Sequence, residues 1–147
     1  MPAQVLILPG QPARRVENEE TKQIKEKLLS IPAQIAEQKR FAREAKTAAD
    51  EIRGQMQEIE AETLFEVNAA TNAAGKPLFG NEAARNAELR RRLSRNREYI
   101  LLKSRLQEAE NRQFQHETLA SQLMSEFSAW KAVAELTAAE ITAGLKN

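Results

Sequence analysis

Cysteine is absent from the 147 residues, and histidine, aromatic residues, glycine and proline are all scarce. Without cysteine the chain has no disulfide scaffold, no thiol nucleophile and no thiolate metal site. This usage fits a reducing cytoplasm, where we expect the protein to work. No run of about 18 apolar residues occurs, so the sequence predicts no transmembrane span. No basic stretch followed by an apolar one indicates a secretion signal.

Residue types that carry catalysis are equally rare. The chain holds a single histidine, His116, and a single aspartate, Asp50, so no nucleophile can be paired with a positioned base. A lone histidine without cysteine also lacks companion ligands for a metal ion. We therefore expect no enzyme activity, no catalytic residues, no metal and no cofactor.

The abundant residues are those of long helices. Alanine occurs 24 times, whereas the larger valine, isoleucine, leucine and phenylalanine side chains together number only 32. Lysine and arginine number 22 against 21 acidic residues, so the formal net charge is +1. This near balance argues against intrinsic disorder, and the composition predicts an all-α fold.

Proline and glycine divide the chain into segments. Three prolines and a glycine near the start predict an extended N-terminal arm over residues 1–17. The first helix is predicted over residues 18–70. We expect a break in it near residues 30–32, where Pro32 either kinks the helix or lies in the first turn of a new helix capped by Ser30.

A second cluster of glycine and proline predicts a turn over residues 71–81. Residues 82–143 then contain neither glycine nor proline. This stretch predicts one long second helix, capped by Asn81.

Apolar residues recur with alternating spacings of four and three, which is the signature of a coiled coil. The stripe of the first helix is formed by Ile31, Ile35, Ala42, Ala45, Ala49, Ile52, Met56 and Ile59, and its positions Gln38 and Thr63 are polar interruptions. The main stripe of the second is formed by Leu102, Leu106, Ala109, Gln113, His116, Ala120, Leu123, Phe127, Trp130, Ala134, Thr137 and Ile141. Upstream, Leu89, Leu93, Asn96 and Ile100 follow a different phase, so the seam is expected to shift near residues 100–102.

A single turn between two such helices predicts a long antiparallel helical hairpin. With the turn at its centre, opposed residue numbers should sum to about 152, which places Ile52 beside Ile100. The same register lays the acidic stretch 44–66 alongside the basic stretch 76–105. Charge and hydrophobic pattern therefore predict one topology.

The end of the second helix extends past the start of the first in this register, and it carries large apolar side chains. A segment of the arm, residues 5–8, could cover some of them, but a second protomer is the better candidate because isolated two-helix hairpins bury little surface. We predict a homo-oligomer, in a dimeric four-helix arrangement. The predicted packing residues are Leu123, Phe127, Trp130, Val133, Leu136 and Ile141.

A dense arginine cluster has two interpretations. Arginine binds phosphate bidentately, and a helical cluster could follow a nucleic-acid backbone. Alternatively, the same side chains neutralise the acidic helix opposite, although three consecutive arginines cannot all face one partner. The cluster consists of Arg85, Arg90, Arg91, Arg92, Arg95 and Arg97.

Two further features carry predictions. His116, with Gln113 one step before it in the stripe, is expected to form a buried polar pair that fixes the register or the oligomeric state. At the turn, Leu78 and Phe79 either fold back on the hairpin end or project as a docking hook.

The turn also resembles small helical proteins of phages and prophages, most of them uncharacterised. In those proteins a Gly-Lys pair and an aromatic residue lead into Asn-Glu, with an arginine three residues later. The matching residues are Gly75, Lys76, Phe79, Asn81, Glu82 and Arg85. Because some of those proteins are encoded near genes for single-strand annealing and recombination, the resemblance implies an accessory role in DNA metabolism.

Two functions follow. The first is a non-enzymatic oligomeric coiled-coil scaffold or adaptor for another protein. The second is a nucleic-acid-binding accessory factor in phage-type recombination or replication that uses the arginine cluster. A net charge near zero favours the first, because dedicated nucleic-acid binders are usually more basic.

Overall fold

A computed structural model describes residues 18–144, and the fold is all-α as predicted. Helix α1 covers Glu19–Ala69, α2 covers Glu82–Arg95 and α3 covers Arg97–Thr142. The predicted arm, including residues 5–8, lies outside the described residues. Over residues 18–144 no helix is both long and apolar enough to cross a bilayer.

Asparagine side chains cap the helices that the sequence marks. Asn18 Oδ1 accepts a hydrogen bond from the Thr21 amide at 2.8 Å at the start of α1. Asn81 Oδ1 accepts one from the Ala84 amide at 2.7 Å, which confirms the predicted cap of the second helix. Each cap satisfies an amide that has no partner within its helix.

Helix α1 continues through Pro32, so the alternative of a new helix capped by Ser30 was wrong, whereas a kink at Pro32 stays a prediction. A proline inside a helix costs about 3 kcal/mol, because it removes an amide donor and crowds the preceding turn. The Pro32 ring is exposed, whereas the preceding Ile31 is only 1% exposed. Burying the Ile31 side chain contributes roughly 1.5–3 kcal/mol, which offsets half or more of this cost.

The second helix divides at Asn96, so the single helix predicted over residues 82–143 was also wrong. Asn96 is extended, with φ −78° and ψ 112°, and its amide donates to the Leu93 carbonyl at 3.2 Å. Its side chain accepts a hydrogen bond from the Tyr99 amide at 3.0 Å. Asn96 therefore ends α2 and caps α3, which is a role that asparagine performs well.

The described residues divide into two compact units. The tip unit comprises residues 34–123 and contains the turn; the terminal unit comprises residues 18–33 and 124–144. The helices of the tip unit run antiparallel, because Gln38 contacts His116 while Glu60, further along α1, contacts the earlier residue Tyr99.

The predicted stripes form the seam of the tip unit. Every stripe residue of α1 between positions 34 and 63 is buried or half-buried, and so is every stripe residue of α3 from 102 to 123. The tightest positions are alanines, and the side chains of Ala49 and Ala109 are fully buried. The helices therefore approach closely where the sequence offers only methyl groups.

In the upstream stripe Leu89, Leu93 and Asn96 are buried or half-buried, and the prediction was wrong at Ile100. Ile100 is 50% exposed, so it is not paired with Ile52 in the seam. Tyr99 is half-buried, and its hydroxyl donates to Glu60 Oε1 at 2.7 Å. A tyrosine can occupy a seam position because its hydroxyl finds a partner while its ring packs.

The register also differs from the predicted sum of 152. The pair Gln38 and His116 sums to 154, and Glu60 and Tyr99 sum to 159. The turn closes at a bridge between Thr71 and Pro77, two residues after α1 ends but five residues before α2 begins.

The stripe on α1 shifts by one position near the turn. Ile59 and Thr63 are followed by Val67, which is 1% exposed, so two spacings of four occur in succession. The Thr63 hydroxyl donates to the Ile59 carbonyl at 2.7 Å and is thereby satisfied within its own helix. Such an insertion rotates the seam around the helix.

This shift and the interruption of the opposite helix occur at the same level. Tyr99 contacts Glu60, and Arg92 Nη1 lies 3.9 Å from Glu66. Asn96 falls between these two contacts, so it is level with the α1 segment in which the stripe shifts. At this level the apolar stripe of α1 rotates around its helix, and the opposite helix is interrupted at Asn96.

The terminal unit packs the start of α1 against the end of α3. Ile24, Ile31 and Thr137 are buried, and Lys27 Nζ lies 3.8 Å from Glu126 Oε1. Both side chains of this ion pair are more than 40% exposed, so it contributes little stability.

Candidate functional site

The arginine cluster is organised around one carboxylate. Glu88, which is 9% exposed, accepts a hydrogen bond from Arg91 Nε at 2.8 Å and one from Arg92 Nε at 2.9 Å. Arg91 also forms a second, shorter contact with it through Nη2. The hydrogen bonds from Arg91 and then Arg92 lower the pKa of Glu88 to about 2. Two members of the cluster therefore share one carboxylate within α2 itself, which offsets one of their two charges.

Direct neutralisation by the acidic helix is limited. Within the described residues, Arg92 is the one cluster arginine that forms an ion pair with α1, through Glu66 at 3.9 Å. The closest ion pair across the seam has the opposite polarity, with Arg53 of α1 2.8 Å from Glu110 of α3. The interpretation that the acidic helix opposite neutralises the cluster thus describes one arginine of six.

The remaining arginines have few partners. Arg85 Nη1 donates to the Phe79 carbonyl at 3.5 Å, which tethers the end of the turn. Among residues 18–144, Arg90, Arg95 and Arg97 form no ion pair. All three are exposed, so three guanidinium groups face solvent around the junction of α2 and α3.

The turn is closed by hydrogen bonds from both backbone and side chain. Asn72 Oδ1 accepts from the amides of Ala74 at 3.0 Å and Lys76 at 3.1 Å, and the Leu78 amide donates to the Ala70 carbonyl at 2.9 Å. Gly75 has φ +75°, a conformation in which a β-carbon would be strained. The turn is therefore a preformed loop.

The two large side chains of the turn behave differently. Leu78 is 54% exposed, whereas Phe79 is half-buried. Phe79 therefore packs back on the hairpin end, and Leu78 is presented outward. The burial of Phe79 agrees with the alternative that it folds back, and docking through Leu78 stays a prediction.

His116 lies in the seam with a partner that the sequence analysis did not assign. Its Nδ1 is 2.7 Å from Gln38 Oε1, and its ring centroid is 5.2 Å from that of Phe41. Gln113, the predicted partner, instead donates to Glu117 at 2.9 Å. The polar pair thus crosses the seam rather than following one helix. Gln38 already stood out as a polar interruption of the α1 stripe, and pairing the two interruptions would have found this contact.

A shallow groove opens beside this polar pair. Its volume is about 310 Å³, and we call it the seam groove. It is lined by Phe41, Glu44, Ala45, Ala48, Arg112 and His116. In the described part of the chain, no group of three or more histidine, cysteine, aspartate or glutamate residues is arranged to hold a metal ion.

The predicted packing residues divide by exposure. Leu123, Phe127 and Trp130 are half-buried, with the Trp130 Nε1 donating to Glu126 at 3.4 Å. The other three remain accessible: Val133 is 39% exposed, Leu136 62% and Ile141 38%.

Comparison with known proteins found no matching family, no similar curated protein and no similar solved structure.

Proposed function

We propose that the protein is a non-enzymatic coiled-coil adaptor that works in the cytoplasm and binds another protein through the turn of its tip unit. The observation that carries this proposal is the preformed loop that presents Leu78 outward. Because hydrogen bonds from Asn72 and the tether from Arg85 already fix the loop, binding would cost little ordering entropy.

The test begins with a photo-crosslinking amino acid at position 78 in the producing cell. A control variant of this chain carries the same label in place of the exposed Ala73, on the other side of the turn. We expect the label at position 78 to form a defined protein adduct, and the label at position 73 to form less of it.

The adduct partner is then purified and titrated with the whole chain by calorimetry. Leu78→Asp should weaken the affinity about tenfold or more, because it places a charge in an apolar contact. Unchanged affinity for Leu78→Asp, with circular dichroism showing an intact helix content, would disprove docking through the turn.

The adaptor is also proposed to be a homo-oligomer. Val133, Leu136 and Ile141 support this, since they keep apolar surface exposed in the terminal unit. The dimeric four-helix arrangement stays a prediction, and sedimentation equilibrium measures the number of chains in the assembly.

Nucleic-acid binding is a second candidate, supported by the three arginines that lack an ion pair. Its test is fluorescence anisotropy with labelled single- and double-stranded oligonucleotides at about 50 and 200 mM salt. Affinity for a phosphate backbone should fall steeply over this range. The Arg90, Arg95 and Arg97→Gln triple variant should flatten the salt dependence.

A matched control removes three positive charges elsewhere. Lys39, Arg43 and Lys46 are exposed on α1, and their triple replacement by glutamine changes the net charge by the same amount. Equal losses in both triple variants would indicate a general charge effect. Absence of binding at about 50 mM salt would exclude this function.

The resemblance of the turn to phage and prophage proteins supports the same setting, an accessory role in DNA metabolism.

A further inference from the structure

The seam groove has walls of opposite charge. Glu44 lies on the α1 wall and Arg112 on the α3 wall. Within the described residues neither side chain forms an ion pair. The other edge of the seam is different, because Arg53 and Glu110 bridge the two helices there at 2.8 Å. One edge of the seam is thus closed by its own charges, and the other is open.

An exposed leucine continues the open edge along α3. Leu119 is 44% exposed and lies seven residues after Arg112 and three after His116. Because a helix turns about 100° per residue, all three side chains lie on one side of α3. Phe114 is more exposed, at 70%, but two residues from Arg112 place it roughly on the opposite side.

We propose that the seam groove is the interface between two copies of this chain. In a pair related by a two-fold axis along the groove, each α1 wall faces the α3 wall of the other copy. Glu44 of each copy then meets the partner's Arg112. Leu119 of each copy lies against the wall that carries Phe41.

A second copy fits this face because the face is complementary to itself. An isologous interface requires every contact to occur twice, with the roles exchanged. The seam groove satisfies that requirement, because one wall has an unpaired acid and the other an unpaired base. A partner that carries charge of one sign only would be repelled by one of the two walls. This inference rests on the proposed homo-oligomer and gives it an interface in the tip unit.

A charge-exchange experiment on the full chain tests the pairing. The dimer dissociation constant is measured by sedimentation equilibrium for Glu44→Arg, Arg112→Glu and the double variant. Each single variant should weaken the dimer about tenfold or more, because like charges then face each other across the interface. The double variant should return to within about threefold of the natural chain, since the pair is restored in reversed order.

Matched controls separate this pairing from a general charge effect. Glu58→Arg and Arg105→Glu change exposed residues that likewise form no ion pair in residues 18–144, and they should leave the dissociation constant unchanged. Leu119→Ala should weaken the dimer, whereas Phe114→Ala, on the far side of the helix, should not. Circular dichroism confirms that each variant keeps its helix content.

The outcomes distinguish this inference from the proposed function. If the natural chain is monomeric at every concentration, both the homo-oligomer and this interface are wrong. If it is dimeric but insensitive to the Glu44 and Arg112 variants, or if the double variant is not restored, the interface is wrong and the oligomer stands. Dissociation by Leu136→Asp alone would instead place the interface in the terminal unit.

Discussion

The tip unit and the terminal unit join helices by different means. In the tip unit, contacts between polar side chains cross the seam at several levels, including Gln38 with His116 and Glu60 with Tyr99. The terminal unit buries apolar residues such as Ile24 and Ile31 and adds the exposed ion pair of Lys27 with Glu126, while Leu136 remains 62% exposed. Cross-seam polar contacts accept only one register, whereas an apolar stripe tolerates several. The polar contacts of the tip unit therefore restrict the register of its own helices.

The largest effect should come from the apolar stripe of the terminal unit. Replacing Ile31 by alanine should destabilise the protein by about 2–5 kcal/mol, since its side chain is 1% exposed and its loss leaves a cavity. Leu29→Ala is the control, because Leu29 is 81% exposed. Urea unfolding followed by circular dichroism measures both. A similar, small effect of the two variants would show that Ile31 is not packed as described.

The polar pair of the tip unit should give the next largest effect. Gln38→Leu should cost roughly 1–3 kcal/mol, because it leaves His116 in the seam without its partner. The double variant Gln38→Leu with His116→Leu should recover most of this loss but form a less uniquely paired seam. Chemical denaturation gives the energies, and hydrogen exchange reports the loss of a single register. Additive single and double effects would argue against the pair.

A smaller effect is expected at the interruption between α2 and α3. Asn96→Ala should cost about 1 kcal/mol, because it removes the side chain that caps the Tyr99 amide. The replacement Asn96→Asp retains the cap and is the control. Amide exchange of Tyr99 measures the local change, and unaltered exchange in the alanine variant would exclude a capping role.

The smallest effect is expected in the dependence of stability on pH under acidic conditions. The pKa of Glu88 is lowered to about 2 by Arg91 and Arg92, so its contribution to stability is present above the ordinary value of 4.5 and is lost as the pH falls towards 2. We expect Glu88→Gln to flatten that part of the stability profile, as measured by thermal unfolding between about pH 2 and 6. Identical profiles for the two proteins would contradict the assignment.

The sequence predicted the seam better than it predicted the breaks. Heptad spacing depends on many residues at once, so a single polar interruption such as Gln38 did not obscure the stripe. Breaks depend on one residue and its surroundings. Pro32 lies next to the buried Ile31 and does not interrupt α1, whereas Asn96 does interrupt the second helix although asparagine is tolerated in many helices.

The candidate sites were predicted as residue types rather than as contacts. The arginine cluster was visible in the sequence, but its local partner Glu88 was not predicted, because the opposite helix carries the larger group of carboxylates. Leu78 and Phe79 could not be told apart, since neighbouring side chains in a turn point wherever the backbone directs them. The seam groove was not predicted at all, because it depends on how far apart two helices lie.

The alanine positions of the tip unit have an entropic consequence. Ala42, Ala45 and Ala49 are buried on one helix, and Ala109 and Ala120 on the other. A methyl group has no rotamers to lose, so ordering these positions carries no side-chain entropy penalty, whereas each buried leucine or isoleucine loses about 0.5–1 kcal/mol. This length of seam can therefore form without the side-chain entropy cost that larger apolar residues would add.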